Sequence, residues 1–364
     1  MLEKRVKKLF DNISKKPEVI LIKNDSMPFI DDNFFYFTGL NHGIFEGSYV
    51  ILFPDGKIKL MVPELEEETA KKTNVEINVY KNQTEFNEIL KNSVSSFSKI
   101  GLNFNGISFK SFLKIKSLLS DSDFFDVSQS IDKIRLVKDE IELRYLKEAC
   151  NIADIVANKI PEIVKDGMYE YELAAEIDYL LQKNGADKSA FETISSFGKN
   201  SAEPHYTHGN IKLKTGDFVL CDFGACYKKY NSDITRTFIF DKASKMQKEM
   251  YDVVLEAQRI GFDAIKSGVK ASKVHGLVHS YIQTSKFKDR FIHSTGHSLG
   301  ISVHDSNARL SSNSDIILKE NMVFTIEPGV YIPDLGGVRI EDDVLVKSKG
   351  AEFLTKSTRD FIEI

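Results

Sequence analysis

The chain has 364 residues, enough for two domains or one large one, and its 42% hydrophobic and 28% charged residues are those of a soluble globular protein. Its net charge of −4 offers no basic surplus, which argues against nucleic acid or an anionic membrane as a partner, and no apolar run approaches the roughly 20 residues of a membrane span. Three cysteines, Cys150, Cys221 and Cys226, are too few and too scattered for a disulfide framework or a thiolate metal site, so a reducing cytoplasm is expected.

The first residues, Met1 to Phe10, are charged and amphipathic and lack the apolar core and cleavage site of a signal peptide. Up to about residue 130 the chain reads as an alternating α/β unit. Val19 to Ile22 is a short buried-strand run, followed by the aromatic segment Asn33 to Leu40. Phe34, Phe35, Tyr36 and Phe37 could form a binding surface, but core packing is the simpler role, since Trp is absent and 26 Phe must carry the aromatic packing. Ser48 to Phe53 and Lys57 to Val62 flank Asp55-Gly56, a hairpin turn signal. Glu64 to Lys72 runs from acidic to basic, matching a helix dipole. Lys99 to Asn103 predicts a strand and Phe109 to Leu119 a helix.

Near Ser130 the texture changes, and we divide the chain into domains 1–130 and 131–364. A long helix is predicted toward Val164, with Leu146, Ala149, Ile152, Ala153 and Val156 on a 3.6-residue period. Further helices are expected at Glu170 to Lys183, Lys245 to Ser267 and Ser272 to Thr284. His275 and His279 have helical i, i+4 spacing but lack the Glu of a zinc-protease motif, and read as ordinary helix residues. His42 and His208 read as loop residues.

Val219 to Phe240 reads as two apolar, β-prone runs around a polar turn. A turn centred near Tyr227 and Lys228 sets Asp222 directly opposite Asp233, roughly 5 Å apart at Cβ. In an isolated hairpin the bland reading is a slipped register with one Asp at the exposed turn. The rest of the chain argues otherwise. A second hairpin, Met322 to Ile332 and Val338 to Val346, embeds Glu327 and Glu341 in apolar strand sequence. Buried unpaired carboxylates are untenable without compensating cations. Oxygen ligands suit Mn²⁺, Co²⁺ or similar ions, and bridging carboxylates suit two of them roughly 3.5–4 Å apart. An imidazole ligand is expected from Phe291 to Asp305, where His293, His297 and His304 fall among Gly296 and Gly300 and the glycines argue against a regular helix.

The ordered set Asp222, Asp233, His297, Glu327 and Glu341 resembles the five-ligand dinuclear site of the creatinase/aminopeptidase family of metallopeptidases, which includes methionine aminopeptidases, proline aminopeptidases and prolidases. Ser232 to Thr237, Thr295-Gly296-His297, Ile326 to Gly329 and Val338 to Asp342 carry the likeness. Asn33 to Leu40 extends it to the N-terminal domain of proline-specific members. The resemblance implies an α+β, two-domain protein: an N-terminal α/β creatinase-like domain and a C-terminal pita-bread domain with a pseudo-twofold curved antiparallel sheet. It implies two divalent ions per chain, with Asp222 on one, Asp233 and Glu341 bridging, and His297 and Glu327 on the other. Glu327 would also shuttle a proton. His205 and His304 are implied as catalytic and substrate-binding residues, His293 as a substrate-side residue, and Arg339 and Tyr331 as substrate-site residues beside the metal carboxylates.

The implied reaction is hydrolysis of the Xaa-Pro bond at the N-terminus of a dipeptide or short peptide, with Mn²⁺ or Co²⁺ as cofactor and a homodimer as the working form. The implied N-terminal domain shapes the partner's active site. Length favours a dipeptidase over an aminopeptidase. Two departures stand out. Ser298 follows the ligand histidine where many relatives have Gly, and His304-Asp305-Ser306-Asn307 replaces a His-Glu-x-Pro segment. Arg309 stands near the place of an arginine that holds the substrate carboxylate in dipeptide-specific members, offset by one. The competing readings are a methionine-type aminopeptidase, which the extra N-terminal domain disfavours, and a non-catalytic binding module, which the complete carboxylate set disfavours.

Overall fold

The structure is a computed structural model that describes residues 1–364. The chain forms two compact units, Met1–Arg135 and Leu136–Ile364.

The first unit is built on a six-stranded mixed sheet. Its order is Glu76–Tyr80, Ile58–Pro63, Tyr49–Leu52, Val19–Lys23, Lys99–Leu102 and Asp123–Asp126. The Asp55-Gly56 turn joins the antiparallel pair Tyr49–Leu52 and Ile58–Pro63, as its sequence predicts. The aromatic run is the helix Asp32–Thr38. The Asp31 side chain caps its start by accepting from the Asn33 N–H, and Gly39 ends it at φ 69°, a left-handed conformation that favours glycine. Phe34, Phe35, Tyr36 and Phe37 are all buried, so this run is core. Helices Gln83–Val94 and Phe109–Leu118 place Phe86, Leu90, Val94 and Ile115 on one sheet face, against Tyr49, Ile51 and Ile100. The acidic-to-basic stretch after Pro63 is shorter than expected: a 3₁₀ turn, Glu64–Glu66, and one turn of helix, Glu67–Ala70.

The second unit repeats a theme. Two helices, Glu140–Ala157 and Glu170–Lys183, precede one hairpin, and two more, Lys245–Ala264 and Ala271–Thr284, precede another. Asp139 and Ser244 open their helices with capping boxes completed by Glu142 and Gln247, each satisfying amides that a helix start leaves unpaired. The first long helix ends at Ala157, before Pro161 opens a separate short turn, Ile160–Ile163. The hairpins build two three-stranded antiparallel sheets. One orders Ile234–Ile239, Phe218–Phe223, Ile194–Phe197; the other orders Val323–Ile326, Asp342–Val346, Ala351–Phe353. Ile152, Val156, Leu173 and Ile177 pack beneath Val219, Cys221 and Phe223. Met250, Val254, Val278 and Ile282 pack with Val338 and Ile340. Burying such side chains contributes about 1.5–3 kcal/mol each. These helix-backed sheets are the platform for the polar cluster.

Candidate metal centre

Both hairpins are broken midway, and the acids sit at the breaks. In the first, Ile234 pairs with Phe223 and Thr235 with Asp222. Beyond Gly224 the pairing resumes with Cys226 opposite Asn231 and Tyr227 opposite Tyr230. Asp222 therefore faces Thr235 and not Asp233, which corrects the register expected from the sequence. The physical reason is the tip. Lys228 and Lys229 occupy left-handed φ values of 49° and 73°, so the turn centres one residue later than expected and every pairing moves by two. A shift of two preserves the face, and both Asp222 and Asp233 still line one cavity. Only glycine fits at 224, where a Cβ would lie 1.9 Å from the Ser232 carbonyl oxygen.

The second hairpin is interrupted at Glu327-Pro328 and Ile340-Glu341, between the pairs Ile326–Asp342 and Gly329–Arg339. The Glu341 N–H donates to the Thr235 carbonyl at 3.1 Å, and Thr235 Oγ1 donates to Glu341 Oε2 at 2.6 Å, stitching the hairpins together. His297 comes from a two-residue strand, Gly296–His297, not from a helix. A Cβ at 296 would lie 1.9 Å from the Thr325 carbonyl oxygen, so glycine lets this strand press against the second hairpin. The Glu327 N–H donates to the Thr295 carbonyl at 2.8 Å across the same seam.

Asp233, His297 and Glu341 converge most tightly. All three are buried, and one ligand atom from each lies within 4.8 Å of the other two. His297 Nε2 is 3.4 Å from Asp233 Oδ2 and 3.8 Å from Glu327 Oε1. His297 Nδ1 faces the Ser298 carbonyl at 3.2 Å, which accepts a proton only from a protonated Nδ1 and leaves Nε2 free as a donor atom. Asp222 stands apart from this trio. Arg339 Nη2 holds its Oδ2 at 2.6 Å, and its Oδ1 is buried without a partner.

The cluster is electrostatically unfinished. Burial, then the charges of Asp222, Asp343 and Glu327, pushes the Asp233 carboxyl well above the usual range against the pull of Arg339. Burial, then Asp233, Glu327 and Asp222, does the same to Glu341. Burial also raises Glu327, opposed by His297 and Arg339. Closely spaced desolvated acids, an orphaned Asp222 oxygen and a free imidazole nitrogen suit divalent cations. The residues fit such ions.

The cluster floors a cavity of about 520 Å³, the size of a small-ligand pocket. His205, His293, His304 and Arg339 all line it. Burial, then Arg339, pushes His293 down to about 4. Loss of water in the cleft, then His297 and Arg309, also pushes His304 to about 4. Tyr331 lies behind the wall, 3% exposed. Its hydroxyl accepts from Arg339 Nη1 at 2.8 Å and lies 3.0 Å from His293 Nε2, so it braces lining residues instead of lining the cavity. His275 and His279 lie on the helix Ala271–Thr284, where His275 Nδ1 meets Thr295 Oγ1 at 3.0 Å. His208 sits in a loop against the Thr193 carbonyl. Sequence reasoning missed Phe191, Ile194 and Val303, which form apolar wall. Nothing local distinguishes them from other apolar residues.

Two broken hairpins that present acids to one imidazole at the floor of a ligand-sized cleft define a metal-dependent hydrolase. Comparison with known proteins narrows the class. Residues 144–348 match metallopeptidase family M24, and residues 9–137 match the creatinase/prolidase N-terminal domain. The chain belongs to metallopeptidase family M24. It is 38% identical to the Xaa-Pro dipeptidase of Pyrococcus furiosus over 332 residues, 91% of this chain and 92% of that protein. Among solved structures it resembles the prolidase from Pyrococcus horikoshii OT3, with 35% identity, a TM-score of 0.89, and coverage of 99% of this chain and 100% of that one. It also resembles the X-Pro aminopeptidase from Thermotoga maritima MSB8, with 31% identity, a TM-score of 0.91, and coverage of 98% and 99%. The two-domain fold is therefore a creatinase-type N-terminal domain followed by an M24 pita-bread domain with antiparallel sheets, as the resemblance implied. No helix is long and apolar enough to cross a membrane.

Proposed function

We propose that this chain is a dinuclear-metal Xaa-Pro dipeptidase, with 1–130 as the accessory and 131–364 as the catalytic domain. The observation that carries this reading is the convergence of Asp222, Asp233, His297, Glu327 and Glu341 in one cavity that also presents His205, His304 and Arg309. In this reading the first five residues hold two ions, Mn²⁺ or Co²⁺. When bound, such ions supply the charge that lowers the pKa of water and polarises a scissile carbonyl.

The chain's own residues do the rest. The water oxygen bonds to the carbonyl carbon while Glu327 takes the water's proton. As the C–N bond breaks, Glu327 returns that proton to the leaving prolyl nitrogen. His304, neutral at pH 7, donates an N–H to the developing oxyanion. His205 and His293 contact the substrate from neighbouring walls. Arg339 fixes Asp222 and is itself braced by Tyr331. An Xaa-Pro bond is a tertiary amide without an N–H, so recognition rests on shape and charge at either end. The apolar wall of Phe191, Ile194 and Val303 suits the substrate's side chains, and Arg309 suits a free carboxylate one residue beyond the cut.

Arg309 favours a dipeptide over a longer peptide, and a comparison of Xaa-Pro with Xaa-Pro-Yaa hydrolysis in added Mn²⁺ and Co²⁺ tests this. Faster turnover of the dipeptide is expected; exclusive cleavage of the tripeptide would identify an aminopeptidase instead. Activity on N-terminal methionine peptides without proline would favour the methionine-type reading. Three buried thiols without a disulfide suit a reducing cytoplasm, and the resemblance supports a homodimer, which sedimentation tests.

A further inference from the structure

The chain changes sheets at Ser232-Asp233, between the strands Tyr230–Asn231 and Ile234–Ile239. The Ser232 N–H still reaches the Ala225 carbonyl, but the Asp233 N–H donates to a side chain, Asp343 Oδ2, at 2.9 Å. Asp343 itself is tied into the sheet on both sides. It pairs with Thr325 in the strand Asp342–Val346, its N–H donates to Thr355 Oγ1 at 3.0 Å, and its carbonyl accepts from the Leu354 N–H at 2.8 Å. The buried Cys150 thiol, on the helix Glu140–Ala157, donates to the same Oδ2 at 3.2 Å. Asp343 is fully buried, and its Oδ1 has no partner.

A half-satisfied carboxylate in a sheet core is unfavourable, and a plain apolar residue would pack there more easily. What an apolar residue lacks is an acceptor for the Asp233 amide at the break that frees it from the ladder. We propose that Asp343 is a positioning residue for Asp233. It anchors the peptide from which the Asp233 carboxylate is aimed at the cavity, and Cys150 orients the anchoring oxygen. This rests on the metallopeptidase reading above. Removing a group that orients a ligand lowers metal affinity by about 10–100-fold.

The test compares Asp343→Asn with Asp343→Leu in the full chain by calorimetric titration of Mn²⁺ into chelated protein. Both remove the ionisable group at similar volume, but only Asn keeps an acceptor oxygen. The Asn protein is expected to bind Mn²⁺ within about threefold of wild type and the Leu protein about 10–100-fold more weakly. Equal affinities for the two variants overturn the proposal. If the Leu protein does not fold, the Asn protein decides: affinity near wild type supports an acceptor role, and a tenfold loss overturns it. Wild-type protein that takes up no Mn²⁺ overturns the underlying metallopeptidase reading, an outcome distinct from wild-type uptake that the variants leave untouched.

Discussion

Arg339 and Asp222 form a buried ion pair between the two hairpins, with Nη2 2.6 Å from Oδ2. The same guanidinium donates from Nε to Thr235 Oγ1 at 3.0 Å, and that hydroxyl donates to Glu341. One cation thus orients two acids of the candidate centre. Replacing Arg339 with Met strands the buried Asp222 charge. Removing one partner of a buried pair costs about 3–5 kcal/mol. Urea unfolding of metal-free Arg339→Met protein should show that loss. Added Mn²⁺ should restore part of it, because the ions supply the missing positive charge. A variant as stable as wild type without metal would contradict the role given to this pair.

Chelation should destabilise the second unit, since ions that bind only the folded state stabilise it by mass action. The melting temperature of wild type should fall when metal is stripped. It should fall less in Glu341→Gln, where one of the repelling acids is gone. Equal melting temperatures with and without metal, with metal loss verified, would count against the centre.

The metal-free protein should have an unusual pH dependence. Asp233 and Glu341 have folded pKa values above their unfolded ones, so the native state binds more protons and stability falls as pH rises past about 4. His293 and His304 run the other way. They are depressed to about 4, so their contribution rises with pH and is complete above the unfolded value of about 6.5. The histidine contribution is common to wild type and Glu341→Gln, so the difference between them reports the carboxylate. Metal-free wild type should lose stability relative to metal-free Glu341→Gln as pH rises from about 4 through the raised Glu341 value. Parallel stability curves for the two proteins would refute this.

His304→Ala should fold normally, because His304 faces the open cleft. Loss of one oxyanion donor lowers kcat by about 10²–10³, with little change in KM. Steady-state kinetics on an Xaa-Pro dipeptide reads both. A change confined to KM would reassign His304 to binding alone.

Arg309→Ala should separate substrates by length. A charge-assisted hydrogen bond to a carboxylate contributes about 1.5–3 kcal/mol, or roughly 10–100-fold. KM for the dipeptide should rise by that factor while the value for a tripeptide stays put. A uniform loss on both substrates would show that Arg309 does not read the terminal carboxylate.

Much of this protein was legible in its sequence because its chemistry violates local pattern. Asp222, Asp233, Glu327 and Glu341 stand in apolar strand runs where isolated acids are untenable, and Gly296 beside His297 signals a close backbone approach. The helix Glu170–Lys183 was bounded correctly by its period and its Asn184-Gly185 stop. The strand Glu76–Tyr80 and helix Gln83–Val94 carry a weak sequence signal, because their half-exposed polar residues dilute the apolar pattern.

The sequence by itself determined that two hairpins carry acids in apolar strand runs with histidines between them in the chain, since charge set among buried-strand residues is visible in the residue pattern. Only the tertiary structure decided which groups meet. Asp222 faces Thr235 because two lysines at the hairpin tip adopt left-handed backbone, a choice no side chain announces. Asp343 reaches the Asp233 amide, and Arg339 reaches Asp222, across more than a hundred residues of chain. Such contacts depend on how the sheets pack against one another, and packing is a property of the assembled core that no local stretch encodes.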